Sequence, residues 1–200
     1  PEGRCVSSQK LGEAALEVGY PVALKMISSR LAHKTEAGAV ALNLKNEESL
    51  NLAVDKMHKD VTAYDAKAVS ELFLVEAMSP NPVAELIINL RQDSQFGAAL
   101  VLGSGGVLVE LMADTATLLL PTSPADIIRA LKSLRVRRLL EGFRGRPAVD
   151  IPKAAEEIYK LCIAYQDNDK TITEIEINPL FIYRDTVSAI DALIQVPVNK

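Results

Sequence analysis

Thr173-Glu174-Ile175-Glu176-Ile177-Asn178-Pro179-Leu180 alternates polar and apolar residues with a period of two, the pattern of a β-strand with one face in a core. Ile175 and Ile177 take the buried face, and Glu174, Glu176 and Asn178 share the other. Magnesium binds about six oxygens and commonly draws only one or two of them from protein, leaving the rest to phosphates and water. Asn178 and Asp191 suit that role. Pro179 is expected to end the strand at 178 and turn the chain back into strands at 180–184 and 187–191, bringing Asp191 beside Asn178. Spacing alone fits equally well a hairpin whose polar face meets water.

Toward the N-terminus, apolar runs at 72–75, 86–90, 98–102 and 107–111 are separated by short turns, which predicts an antiparallel meander. Helical periodicity is predicted over 125–140 and 154–165, after Pro121 and Pro124 end the strands. The first 70 residues read as helix, strand, strand, helix. Leu11, Ala14, Ala15 and Val18 form one helical stripe, Val22 to Ile27 and Val40 to Leu44 are strands, and a helix runs from Glu47 to about Tyr64. The class is α+β, with a small lobe at about 20–70 and a larger sheet lobe at about 71–200.

With 48% hydrophobic residues over 200 positions, the chain can bury a sizeable core. A net charge of −4 supplies no broad basic field, so nucleic acid and anionic membrane surfaces are not expected partners. Cys5 and Cys162 are too few and too far apart for a disulfide framework or a zinc knuckle. No apolar run is long enough to span a membrane, and the N-terminus lacks signal-peptide order, so a cytoplasmic protein is expected. The start at a proline in mid-pattern leads us to expect part of a longer polypeptide.

Several residues invite chemistry. Lys25 lies in an apolar strand, where a buried ammonium requires an anion such as a phosphate unless it reaches the strand edge. The loop His33-Lys34-Thr35-Glu36-Ala37-Gly38 combines a hydroxyl, a cation and a glycine, yet fits neither the P-loop nor the dinucleotide fingerprint. His33 suits a phosphate acceptor or relay, or a loop histidine with no catalytic part. Gly103, Gly105 and Gly106 suit an anion nest or a plain tight turn. Glu76 and Glu85 flank the Pro80-Asn81-Pro82 turn, where carboxylates could hold an adenosine or simply meet water.

Taken in order, GYPVALKMISSRLAHKTEAGAV (19–40), LFLVEAM (72–78), AELIINLRQDSQFG (84–97), GSGGVLVELMAD (103–114) and EIEINPL (174–180), with Asp191 downstream, resemble the ATP-grasp domain of nucleoside-diphosphate-forming acyl-CoA synthetases. A more distant likeness is to the β subunit of succinyl-CoA synthetase. The resemblance implies two α+β lobes with ATP or ADP in the cleft between them. It implies that Lys25 and Lys34 meet the nucleotide phosphates, and that Glu76, Ala77 and Met78 form the linker that meets the adenine. It implies Glu85 near the ribose, Gly105 and Gly106 facing the phosphates, and Asn178 and Asp191 as Mg²⁺ ligands. Glu176 corresponds to a carboxylate that orients a phosphohistidine, and His33 to a second phosphoryl carrier. The implied partner is a CoA-binding α subunit or domain carrying the principal phosphohistidine, with phosphate as product. The chain alone is then expected to bind nucleotide without making acyl-CoA. Ala39 stands where the family usually has the second glycine of a pair. A competing expectation is a regulatory or vestigial synthetase-like module, as in fused protein acetyltransferases, although retention of His33 with the metal ligands favours the enzyme.

Overall fold

The computed structural model describes residues 1–31, 33–106, 114–168 and 171–197. The chain divides into two compact units, Pro1–Pro80 and Asn81–Lys200. The first contains β1 (Gly3–Ser7), α1 (Leu11–Val18), β2 (Val22–Met26), β3 (Val40–Leu44), α2 (Glu47–Asp65) and β4 (Leu72–Ala77). Its antiparallel sheet has the order β1-β4-β2-β3. Leu11, Ala14 and Ala15 of α1 and Leu50, Met57 and Val61 of α2 join Leu24, Met26, Phe73 and Val75 in one apolar core. Local chemistry fixes the helix ends. Asn46 and Ser49 form a reciprocal capping box at the start of α2, and Gly19 (φ 89°) ends α1 in a conformation that favours glycine.

This unit corrects two expectations. Residues 3–7 form a strand not anticipated from the sequence. The run at 72–77 does not belong to the later meander, because β4 lies between β1 and β2 in the first sheet. The boundary therefore falls at Pro80, ten residues later than the change in sequence character suggests, and the first unit begins at residue 1.

The second unit contains β5 (Ala84–Asp93), β6 (Gly97–Ser104), β7 (Thr115–Leu119), α3 (Pro124–Ser133), the short α4 (Arg137–Leu140), α5 (Ile151–Asp167), β8 (Glu174–Ile182), β9 (Val187–Ala189) and β10 (Ala192–Gln195). The sheet order is β10-β8-β5-β6-β7, with β9 also pairing with β8. Helices α3 and α5 cover one face, where Leu86, Ile88, Leu90, Leu100 and Leu102 meet Ile127, Leu131, Ile158 and Cys162. The expected strand at 107–111 lies outside the described residues, while β7 was not anticipated.

Two local departures shape the site. Pro179 does not end a strand: β8 runs through it to Ile182. Pairing with β5 steps from Ile88↔Ile177 to Leu86↔Leu180, so β8 carries one extra residue around Asn178-Pro179. That bulge accommodates a residue with no N–H to donate and re-aims the side chains beside it. The expected helix at 125–140 is broken after Ser133, because the amides of Arg135 and Val136 donate to the Asp114 carboxylate rather than to helical carbonyls. Among the described residues no helix is long and apolar enough to cross a membrane.

The two cysteines test the packing. Cys5 is exposed, whereas Cys162 is fully buried and burial pushes its thiol up to about 11. A thiol reagent at neutral pH should label Cys5 alone in the folded protein and both residues after denaturation. Rapid native labelling of Cys162 would contradict the packing of α5.

Candidate functional site

In the first unit, Lys25 sits on the inner strand β2 and Glu76 on its neighbour β4. Glu76 is opposite Ala23, so Lys25 is its diagonal neighbour on the same face. Lys25 Nζ lies 2.6 Å from Glu76 Oε2, and the residues are only 5% and 8% exposed. The anion demanded by a buried ammonium is thus supplied in part from within the fold. This sharpens the sequence reading, which assigned Lys25 to an incoming phosphate and Glu76 to the adenosine. Gly3, opposite Glu76 on β1, leaves the carboxylate its room: a Cβ there would come 2.8 Å from Glu76 Cγ. Beyond Glu76, the N–H groups of Ala77 and Met78 donate to the carbonyls of Glu2 (2.9 Å) and Pro21 (3.3 Å). Those donors are already engaged by the unit's own backbone.

The loop between β2 and β3 presents His33 on the surface. Three backbone bonds close it: Ala37 to His33 O (3.3 Å), Gly38 to Thr35 O (3.1 Å) and Ala39 to Lys34 O (2.8 Å). Gly38 has φ 69°, and a Cβ there would lie 2.6 Å from Asp60 Cβ on α2. Only glycine meets both demands, so the loop is pinned against α2 while the His33 imidazole stays accessible. Ala39, in place of a second glycine, is wholly buried and accommodated.

The second unit gathers the remaining candidates at one end of its sheet. The N–H of Gly105 donates to Glu85 O (2.8 Å), and that of Gly106 donates to Asn178 Oδ1 (3.2 Å). The Asn178 N–H donates to Asp191 O (3.1 Å), and Ile190 N–H to Pro179 O (3.1 Å). Glu85, Gly105, Gly106, Asn178 and Asp191 therefore form one connected group. The glycines are needed for space. A Cβ on Gly105 would lie 2.5 Å from the Leu86 carbonyl oxygen, and one on Gly106 (φ 68°) would run into the Glu85 carboxylate.

Glu176 has a neighbour that nothing in the sequence pattern singles out. Asn89, opposite it on β5, donates to Glu174 Oε1 (2.6 Å) and more weakly to Glu176 Oε2 (3.4 Å). One amide thus holds two like-charged carboxylates on the polar face of β8. Among the described residues no group of three or more His, Cys, Asp or Glu is placed to hold a metal ion. The pair expected from the sequence, an asparagine amide and one aspartate, is joined through its backbone. Two hard oxygens of this kind fit magnesium that takes its other ligands from phosphate and water, and do not fit a soft metal.

Asp114 was also missed as a site-shaping residue. Its buried carboxylate accepts from Arg135 N–H (2.8 Å), Ser104 Oγ (2.7 Å) and Val136 N–H (3.1 Å). Burial pushes its pKa upward, but those bonds and the Arg135 charge outweigh burial and hold it below the usual carboxylate value. Since a depressed native pKa stabilises the fold above the unfolded value, this contribution is complete above about pH 5 and fades as pH falls below about 4. Asp114→Ala should destabilise the protein by about 2–4 kcal/mol at pH 7, because two backbone donors lose their acceptor. The gap from wild type, measured by denaturant titration, should narrow in acid; a pH-independent gap would exclude the charge as its source.

The family profile described as "ATP-grasp domain" matches residues 1–196. The chain is 32% identical over 177 residues to the β subunit of acetate–CoA ligase (ADP-forming) II of Pyrococcus furiosus, covering 88% of this chain and 74% of that one. It is also 32% identical to a trans-feruloyl-CoA synthase from an unknown prokaryotic organism, covering 98% of this chain but 28% of the relative. Among solved structures, the dinucleotide-forming acetyl-coenzyme A synthetase 1 of Candidatus Korarchaeum cryptofilum, in complex with coenzyme A and Ca-AMPCP, superimposes with a TM-score of 0.87. The identity is 30%, over 98% of this chain and 86% of that one. The same archaeal protein is known with Mg-AMPPCP and a phosphohistidine segment pointing towards the nucleotide-binding site.

Proposed function

The chain belongs to the ATP-grasp family, in the branch of the ADP-forming CoA-ligase β subunits, and from that membership we propose that it performs the nucleotide half of acyl-CoA synthesis. In this reading acid, CoA and ATP give acyl-CoA, ADP and phosphate, with the phosphoryl group carried on histidine. A CoA-binding α subunit or domain supplies the acyl chemistry. The chain spans about three quarters of a separate β subunit and about a quarter of a single-chain relative, so the other reactions fall to sequence beyond it.

The observation that carries the proposal is the connected group Glu85, Gly105, Gly106, Asn178 and Asp191. It joins a glycine turn to a pair of hard oxygen donors, the parts needed to hold a phosphate and its cation. Magnesium held by Asn178 and Asp191 would neutralise charge on the phosphate oxygens as the phosphoryl group moves. Glu85 accepts from a ribose hydroxyl, and Lys25 turns part of its charge toward the phosphates while Glu76 keeps it in position. Glu176, steadied by Asn89, receives the imidazole that approaches the phosphoryl group and orients its nitrogen. His33, exposed on a pinned loop, takes the phosphoryl group onward.

The test is phosphoryl capture. The chain is mixed with its CoA-binding partner and ATP labelled on the γ-phosphate, and acid-labile label on the chain is measured. Label that disappears in His33→Asn supports the relay, whereas label unchanged in that variant excludes His33. Nucleotide binding with no label on either protein would instead favour the regulatory module.

A further inference from the structure

Residues 135–146, Arg-Val-Arg-Arg-Leu-Leu-Glu-Gly-Phe-Arg-Gly-Arg, carry five arginines against one glutamate in a chain of net charge −4. Apart from the charge that Arg135 lends to the Asp114 carboxylate, none of the features assigned above uses their side chains. The segment is built on purpose-made backbone: Gly142, Arg144 and Gly145 all have positive φ (93°, 48° and 81°). For arginine that conformation is uncommon and marks a loop whose shape is imposed by its surroundings. A Cβ on Gly142 would press on Arg146 O at 3.2 Å, so the tight turn that positions Arg146 needs glycine. At the other end, the Asp114 carboxylate fixes the Arg135 and Val136 amides while the Arg135 side chain remains exposed.

Arg135 and Arg146 border a cavity of about 610 Å³ within the second unit. Pro82, Val83, Val136 and Leu139 give it apolar wall, and Glu85 and Gly105 connect it to the group described above. Neither guanidinium has an ion pair with a described carboxylate within 4 Å. Its volume lies in the range of small-molecule sites, and its lining, mostly apolar with a few convergent polar groups, has their character. Two guanidiniums match phosphate oxygens, a carboxylate accepts from sugar hydroxyls, and the apolar wall accepts a base. We propose that this cavity binds the phosphate of an adenosine-phosphate moiety through Arg135 and Arg146, independently of the metal pair. The inference rests on the nucleotide reading only for its ligand class. That moiety has two sources, the nucleotide itself and the adenosine end of CoA.

Calorimetric titrations of the whole chain with ADP and with CoA, each in excess chelator, test the proposal and separate the sources. Wild type should bind at least one of them. Arg135→Ala/Arg146→Ala should weaken that ligand by about tenfold or more, and Arg135→Lys/Arg146→Lys should retain most of the affinity. Both side chains are exposed, so the thermal midpoint should hold in either variant. A loss confined to ADP assigns the arginines to the nucleotide, and a loss confined to CoA assigns them to a second site. The proposal is overturned if wild type binds neither ligand in chelator, or if the double alanine variant binds within about twofold of wild type. Asp191→Ala serves as the separate control for the metal pair: a full magnesium effect retained in that variant, with the arginine effect intact, fails the metal reading alone, whereas loss of the magnesium effect there with no arginine effect fails this proposal alone.

Discussion

Glu76→Ala is expected to destabilise the protein by about 3–5 kcal/mol, because it strips a buried ammonium of the carboxylate 2.6 Å away. Lys25→Met/Glu76→Leu should regain most of that loss, since two apolar side chains of similar size need neither charge nor hydrogen-bond partner. The double variant then separates scaffold from chemistry. If Lys25 also meets nucleotide phosphates, the refolded double variant should bind ADP about tenfold or more weakly than wild type, as expected for a lost charge-assisted bond. Full stability with undiminished ADP affinity would make the pair purely structural. Urea titration followed by calorimetry on the same samples gives both answers.

Gly105→Ala is expected to have the second large effect. The added methyl would lie 2.5 Å from the Leu86 carbonyl oxygen and 2.8 Å from its amide nitrogen, both in the backbone of β5. Neither atom can swing away as a side chain would, so β5 and the end of β6 must part. Overpacking of this kind destabilises by about 1–3 kcal/mol. Parting also strains the Gly105 to Glu85 bond and shifts Gly106, whose amide holds Asn178. Nucleotide affinity should therefore fall with stability. Gly106→Ala provides the contrast: its methyl meets the movable end of Glu85, so it should disturb Glu85 and affinity more than the strands, although φ 68° adds its own strain. Equal stability of Gly105→Ala and wild type in urea would contradict the close approach of the glycine turn to β5.

The alternation of Ile175 and Ile177 with Glu174, Glu176 and Asn178 was legible in the sequence because period-two burial is a local property, and the structure keeps it. The partners of strands were less legible. Residues 72–77 look like the first strand of a meander because apolar runs follow them, yet β4 pairs with β1 and β2. Pairing of distant segments leaves little mark on either one, and β1 itself, Gly-Arg-Cys-Val-Ser, carries no alternation of its own. Pro179 suggested a strand end for a sound reason, its missing donor, but a bulge satisfies that constraint without ending the strand. Asp114 and Asn89 escaped notice because their importance lies in what they hold. Asp114 bonds amides twenty-one and twenty-two residues away, and Asn89 bonds carboxylates eighty-five and eighty-seven residues away. Lys25 stood out as a cation in an apolar strand and Glu76 as a carboxylate beside a proline turn, but only the register of β2 with β4 brings them together.

The proposed nucleotide chemistry depends on Asn178 and Asp191 holding a cation for the nucleotide phosphates. Titration of the chain with ADP, with magnesium and then with excess chelator, in wild type and Asp191→Ala, addresses this most directly. The predicted result is that magnesium strengthens ADP binding by about tenfold or more in wild type and leaves Asp191→Ala at the chelator value. Equal affinity with and without magnesium in wild type, or a full magnesium effect in Asp191→Ala, would contradict it.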